Sequence, residues 1–430
     1  MLKRCLSTIR CYPRAFSASA IVLLVAAAGF GWWLWQQQTI NGPLQRAQDA
    51  WTKNHLLAAK QHVTVGLERA PQNPQMLLLA ARVARRLGEL DEAADLLARC
   101  DQLPALDQEA VKLENILIGV QAAGIRTDVE AHLWARAEAA PPQERALIYE
   151  AMARGFMNPQ TKRPTAAKNC LDKSLQDLPD NPVALRLRGT IRGQLNKWID
   201  AAFDYRRAYE LEPDYEPGQL ALADSLYQAG RFAEAQPLLE QLEAKRPDDA
   251  IVLVGLAGCR ASVGRLDEAR DILDKLLAKE PRNSLALMER GRIALELNQA
   301  AEAEKWLRLA LAADRSDRRS NHLLYQSLSL QGKHAEAKEQ LAKSQRILAD
   351  LTRLGEIITE DMNLRPNDPE LLHELGELML RNGQEQQGLQ WLERALVVSP
   401  NHRKTHRTLA EFYERTNQTE RAAWHRGKLQ

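Results

Sequence analysis

The sequence predicts an all-α chain, a solenoid of helical hairpins preceded by one apolar helix near the amino end. Three observations carry that prediction. Small residues and helix breakers recur every 34 residues over most of the chain. Only 5% of the 430 residues are aromatic, β-branched runs are scarce, and Ala and Leu abound, which favours helix over sheet. One early stretch, residues 15–35, carries no charge at all.

The first element is a basic tail, residues 1–14, in which Lys3, Arg4, Arg10 and Arg14 meet no acidic residue. Ala15 to Trp35 follows with Ser17 and Ser19 as its only polar side chains. At about 1.5 Å per residue it reaches roughly 31 Å, the thickness of a bilayer's hydrocarbon core. Trp32, Trp33 and Trp35 crowd its far end, where indoles favour the headgroup region. Residues 15–36 are therefore read as a transmembrane helix. The competing reading is a cleaved signal peptide, since Ala26-Ala27-Ala28 mimics a cleavage site. The apolar stretch, however, runs on through Phe30 and the tryptophans, longer than such a peptide needs. Positive charge before the span keeps the tail in the cytoplasm and places the rest on the opposite side, periplasmic in a bacterium.

The repeats come next. Five consecutive blocks start at Pro182, Glu216, Ala250, Ser284 and Arg318, always 34 apart. Position 20 of each holds Ala201, Ala235, Ala269, Ala303 and Ala337. Position 15 holds Asn196, Gly230, Gly264, Asn298 and Gly332, residues that tolerate the left-handed turn ending a helix. Position 32 holds Pro213, Pro247 and Pro281, which stop the second helix. Each block thus reads helix, tight turn, helix, stop. Further blocks start at Ile40, Pro74, Pro369 and Arg403, and the stretch 106–181 holds two degenerate units punctuated by Gly124, Pro141 and the loop Asn158 to Pro164.

These blocks, above all Trp198 to Asp214 and Gly264 to Pro281, resemble the tetratricopeptide repeat (TPR) family. The resemblance covers nearly the whole chain after the apolar segment and implies a right-handed superhelix. It also implies close helix crossing where position 8 faces position 20, as with Gly189 and Ala201, or Gly291 and Ala303. The expected organisation is TPR repeats over 40–105, degenerate repeats over 106–181, regular repeats over 182–351, a helical extension over 352–368, and terminal repeats with a cap over 369–430. The extension follows from a 51-residue spacing between Arg318 and Pro369, with Ile347, Leu348, Leu351, Leu354, Ile357, Ile358 and Met362 at helical spacing. It reads as an elongated, bent helix that splays the last two repeats from the others. The block from Arg403 is basic and polar, as a capping repeat requires.

Chemistry-bearing motifs are missing from the sequence. No phosphate-binding glycine loop, HExxH or GxSxG occurs, so no catalytic or cofactor-binding residue is assigned and no cofactor is expected. The five cysteines show no CxxC spacing and read as buried hydrophobes. His402 and His406 have a metal-compatible spacing but sit among Arg403, Lys404 and Arg407, with no carboxylate or Cys expected beside them, so no metal site is expected. Asp248-Asp249 and Asp267-Glu268 read as helix-start residues. Lys plus Arg number 58 against 56 Asp plus Glu, which excludes a strongly basic nucleic-acid-wrapping domain.

What the resemblance offers is a groove lined by positions 2, 5, 9 and 12 of the first helices. The candidate groove residues are Arg186, Thr190, Leu220, Asp224, Tyr227, Val254, Met288, Arg292, His322 and Gln326, with Val183, Ile251, Gly258 and Leu285 in the same register. The stripe suits a peptide or partner helix. The positions used by TPR domains that grip acidic chaperone tails hold Arg186, Thr190, Ala221, Ile251 and Gly255 here, so that clamp is absent. The expected function is a membrane-anchored, non-enzymatic scaffold for protein or peptide partners of an envelope complex, without nucleic acid or small-molecule substrate. The alternatives are a non-catalytic subunit that positions a separate enzyme, and a cytosol-facing adaptor like an import receptor.

Overall fold

A computed structural model describes residues 41–103, 107–159 and 162–429. The expected tail and transmembrane helix lie outside these residues. Among the described residues there is no strand, and no helix is long and apolar enough to cross a membrane. The chain forms two compact units, Met1–Gly119 and Val120–Gln430, which meet within one helix.

In the first unit α1 (Gly42–Thr52) pairs with α2 (Leu56–Arg69), and α3 (Pro74–Leu87) with α4 (Leu90–Cys100), before α5 (Gln108–Ala123) begins. Asn73 caps α3 by accepting from the Met76 N–H at 2.9 Å, with Pro74 at the first helical position, where a missing N–H costs nothing. Ala59 and Ala93, both at position 20, are fully buried among Met76, Leu77, Val83 and Leu97. Arg85 is buried too, its Nε 2.7 Å from the buried Glu114 carboxylate.

The second unit opens with three irregular helices after the end of α5, α6 (Thr127–Ala139) and then α7 (Pro142–Met157) and α8 (Pro164–Asp177), which pair as a hairpin. Then come the regular pairs: α9 (Pro182–Gln194) and α10 (Trp198–Leu211), α11 (Glu216–Gln228) and α12 (Phe232–Lys245), α13 (Ala250–Ser262) and α14 (Leu266–Lys279), α15 (Ser284–Glu296) and α16 (Ala300–Ala313). Every position-15 residue is left-handed, from Asn196 at φ 57° to Gly264 at φ 80°. Each first helix begins within a residue of the predicted block start. Asn181, Asp249, Asn283 and Asp317 cap four of these helices through their side chains. Ala201, Ala235, Ala269 and Ala303 are fully buried.

The glycines at position 8 show what fills the helix crossing. A Cβ on Gly189 would meet the Tyr205 ring at 3.0 Å, and one on Gly291 would meet Leu307 Cγ at 2.6 Å. Position 8 in these two repeats therefore lies under the position-24 side chain. The repeat from Pro369 brings the two small positions together: a Cβ on Gly376 would lie 2.9 Å from the Gly388 carbonyl oxygen. Fixed charges reinforce the stack. Buried Asp204 accepts from Arg188 at 2.7 Å and from Arg192 at 2.7 Å, and buried Arg290 reaches Asp274 at 2.8 Å and Glu302 at 2.7 Å.

After α17 (Arg318–Leu330), α18 runs unbroken for 23 residues (His334–Glu356) into a π-helical turn, Ile357–Asp361, and a last turn, α19 (Met362–Leu364). The expected elongated helix is present, with a π-helical turn near its end. Ile347, Leu354, Ile357 and Met362 are buried while Leu348 and Leu351 stay exposed, so one face does the packing. The π-turn lies against α8, where Thr165 Oγ1 donates to the Thr359 carbonyl at 3.1 Å. Two hairpins close the unit, α20 (Pro369–Arg381) with α21 (Glu385–Val398), and α22 (Arg403–Arg415) with α23 (Thr419–Gly427).

Candidate functional site

Four successive first helices wall a cleft of about 840 Å³, with the α12 amino end closing one side. A small pit of about 60 Å³ continues its floor between Leu220, Ile251, Val254, Leu285 and Met288. Helical spacing explains the floor. Residues three or four apart share a face, so Ile251 and Val254 on α13, and Leu285 and Met288 on α15, present matched aliphatic pairs one repeat apart. Ile251 is 49% exposed and Leu285 51%, high values for aliphatic side chains that sit in register.

A polar brace spans the cleft. The Tyr227 hydroxyl donates to Glu289 Oε1 at 3.0 Å, although the two residues lie two repeats apart. The other Glu289 oxygen accepts from Arg292 Nε at 2.6 Å, and Arg292 also pairs with Glu296. Tyr227 can cross because Gly258 stands beneath it; a Cβ there would sit 2.7 Å from Tyr227 Cζ. Phe232 supports the ring edge-on at 5.4 Å. Burial, and then the Glu289 charge, hold the Tyr227 phenol well above its usual pKa. Burial works against the Arg292 cation, but Glu289 keeps its pKa above the usual value. Asp224 is pushed upward by burial and accepts from Gln228 at 3.2 Å, while Arg319 donates to Gln228 at 2.6 Å.

Of the ten candidate residues, the structure brings together Leu220, Asp224, Tyr227, Val254, Met288, Arg292 and His322. Gln326 stands beside the cleft, 3.2 Å from His322 Nε2. Arg186 and Thr190 are elsewhere: Arg186 pairs with Glu212 over the Tyr215 ring, and Thr190 lies 2.8 Å from the Tyr205 hydroxyl. Sequence reasoning missed Gln228, Phe232, Glu289 and Arg319. Arg319 was within reach, since it occupies position 2, as Ile251 and Leu285 do. Glu289, at position 6, gave no such signal.

Other predicted features fall as follows. Cys100, Cys170 and Cys259 are buried, and burial pushes their thiols up to about 11, 12 and 11, which leaves them poor nucleophiles. Asp249 caps α13 and Asp267 and Glu268 occupy the first turn of α14, as expected of helix-start residues. A carboxylate does lie beside His402, contrary to expectation: Glu370 Oε1 is 3.3 Å from its Nε2, brought in from the preceding repeat. His406 Nε2 faces the Pro400 carbonyl at 3.0 Å and its Nδ1 faces His425 Nδ1 at 2.9 Å. With Nε2–H donating to that carbonyl, His406 Nδ1 accepts and His425 carries the shared proton.

Two profiles described as tetratricopeptide repeat match the chain, one over 194–259 and 226–287, the other over 44–106 and 260–318. Protein STIP1 homolog of Dictyostelium discoideum is 35% identical over 75 residues, 17% of this chain and 13% of that protein. A TPR repeat-containing protein of Pseudomonas aeruginosa is 25% identical over 191 residues, 44% of this chain and 30% of that protein. The chain thus spans less than a third of either curated relative. A tetratricopeptide repeat protein from Parabacteroides merdae aligns in three dimensions at 18% identity and a TM-score of 0.36, covering 68% of this chain and 99% of that one. Residues 44–106 and 194–318 are therefore tetratricopeptide repeats, a generic scaffold for protein–protein interaction.

Proposed function

We propose that the chain is a membrane-anchored, non-catalytic scaffold that receives a partner peptide or helix in the α11–α17 cleft and recruits it to an envelope assembly. One observation carries this reading. The polar groups of the cleft largely satisfy one another through Tyr227, Glu289 and Arg292, while Ile251 and Leu285 stand half exposed over Val254 and Met288. What the cleft has left to offer is therefore aliphatic surface at a one-repeat spacing, which a row of apolar side chains fits. That favours a protein ligand over nucleic acid, which needs a run of cations or stacking platforms. The uncharged segment 15–35 with its basic flank supports the anchor, and tethering raises the local concentration of partners.

The test is selection of a random twelve-residue phage-displayed peptide library on the full-length chain. We expect a family of peptides rich in spaced aliphatic residues, with binding abolished by Met288→Glu and unaffected by Asp267→Ala on the outer helix α14. Peptides that ignore Met288→Glu would sink the cleft as the site. A reporter fused after Gln430 and active only outside the cytoplasm tests the orientation. Silence from an intact, membrane-bound fusion would reverse it.

A further inference from the structure

The repeat from Arg403 carries an excess of unneutralised positive charge. Residues 403–430 carry seven Lys or Arg against three Asp or Glu, whereas residues 15–402 carry 47 against 53. Two of the seven are neutralised in place: Lys404 by Glu370 at 2.9 Å, and Arg426 by Glu414. Among the described residues, Arg403, Arg407, Arg415, Arg421 and Lys428 have no carboxylate within ion-pair distance, and all five are exposed. Arg403 donates only to the Leu429 carbonyl, at 2.5 Å, and Arg421 to the neutral Gln418 side chain, at 3.1 Å.

An exposed indole stands in this cluster. Trp424 is 57% exposed, whereas Trp391 is buried and the other tryptophans among the described residues are at least partly covered. It is held outward and not left to collapse: its ring meets the buried His425 edge-on at 4.7 Å and lies 5.8 Å from the buried His406. Lys428 Nζ sits 5.4 Å from its centroid. Spacings of three and four place Arg421, Trp424 and Lys428 on one side of α23. A fixed indole flanked by free cations matches the headgroup layer of an anionic bilayer, where the ring takes the interface and the cations meet phosphates.

We propose that this face, Arg421, Trp424 and Lys428 with Arg403 and Arg407 beside it, docks onto the anionic phospholipid headgroups of a membrane surface. A bilayer is favoured over nucleic acid for two reasons. There is a single outward ring and not a series of stacking platforms, and the same chain carries a bilayer-length apolar segment at 15–35. The contact holds the C-terminal repeats at the surface independently of any peptide in the cleft.

The experiment is hydrogen exchange on the full-length chain in nanodiscs of pure phosphatidylcholine and of phosphatidylcholine with 30% phosphatidylglycerol. We expect exchange over residues 419–429 to slow about fivefold in the anionic discs alone, while α14 exchanges equally in both. Molar-range salt should erase the difference, because the attraction is screened within a few ångströms. The double variant R421E/K428E should erase it as well, and Trp424→Ala should halve it. Equal exchange in both lipids would overturn the proposal, as would protection that survives salt and charge reversal. Protection by a twenty-nucleotide oligouridylate in place of the anionic lipid would overturn it in favour of a nucleic-acid surface.

Discussion

At positions 2, 5 and 9 the repeats from Ala250 and Ser284 present Ile251, Val254 and Gly258, then Leu285, Met288 and Arg292. The same positions in the repeats from Pro369 and Arg403 present Glu370, His373 and Glu377, then Lys404, Arg407 and Glu411. The backbone plan is one and the surfaces are opposed. In the central region apolar groups stay uncovered and the charges bond one another across them. In the C-terminal region the face is ionic and partly paired: Glu370 holds Lys404 and His402, and Arg353 forks onto Glu374 at 2.7 and 2.9 Å, while Arg407 has no ion-pair partner among the described residues. Repeat geometry therefore sets where a side chain stands and leaves open what the face binds. Only the central face is a ready-made apolar cleft.

The sharpest way to break the comparison is to disable one region and watch the other. Ala235 is fully buried between α11 and α12, so Ala235→Glu places an unpaired charge in the central stack and should cost about 4 kcal/mol or more. Because each repeat touches mainly its neighbours, hydrogen exchange should accelerate over 216–262 and stay near wild type over 403–427. A variant with wild-type thermal stability would refute the register itself.

Acid should do the converse. Burial, then the neighbouring His406, depress His425 from 6.5 to about 4. Between those values the unfolded chain binds the proton more readily than the folded one, so the stability present above pH 6.5 is lost as pH falls toward 4. His373, also depressed by burial, adds to the loss. Asp224 in the central cleft runs the other way: its raised carboxyl favours the folded state at low pH, and that contribution fades as pH rises through its folded value. Exchange protection of α22–α23 should fall about tenfold or more between pH 7 and pH 5. Protection of α11–α15 over the same range should hold.

The period, the left-handed turns and the buried position-20 alanines were all legible, because each depends on the backbone of one repeat. Contacts between repeats were not. Tyr227 reaches Glu289 across 62 positions, and only because Gly258, in the repeat between, clears the path. No spacing rule carries such a three-body condition. His402 meeting Glu370, and Thr165 meeting Thr359, are the same kind of event, set by how repeats stack. Seven of ten groove candidates converged because they needed only the register, while Arg186 and Thr190 were drawn off by Glu212, Tyr215 and Tyr205 at a joint the register does not describe.

The joints themselves differ in tolerance. A methyl group on Gly376 would press on the Gly388 carbonyl, which is backbone and cannot turn aside. On Gly189 it would meet the Tyr205 ring at 3.0 Å, a side-chain contact that a shift of a few tenths of an ångström relieves. Gly376→Ala should therefore cost about 2 kcal/mol and Gly189→Ala less than about 1 kcal/mol, read from chemical denaturation of the two variants. Equal costs would mean that the C-terminal joint opens as readily as the central one.

The finest test sets the two faces' polar contacts against each other. Tyr227→Phe removes a part-buried hydroxyl bonded to a carboxylate, and should cost about 1.5 kcal/mol. The loss stays that small because Glu289 keeps Arg292, and the phenyl ring still crosses Gly258 against Phe232. Lys404→Ala breaks an ion pair of similar length, 2.9 Å, but both partners are more than half exposed and water screens them. It should cost about 0.5 kcal/mol or less, and His402 remains with Glu370 in any case. If the lysine variant proved the costlier of the two, burial would not be what distinguishes the faces. The central brace would then be a surface ornament of the cleft and not the support that keeps Tyr227 in place across it.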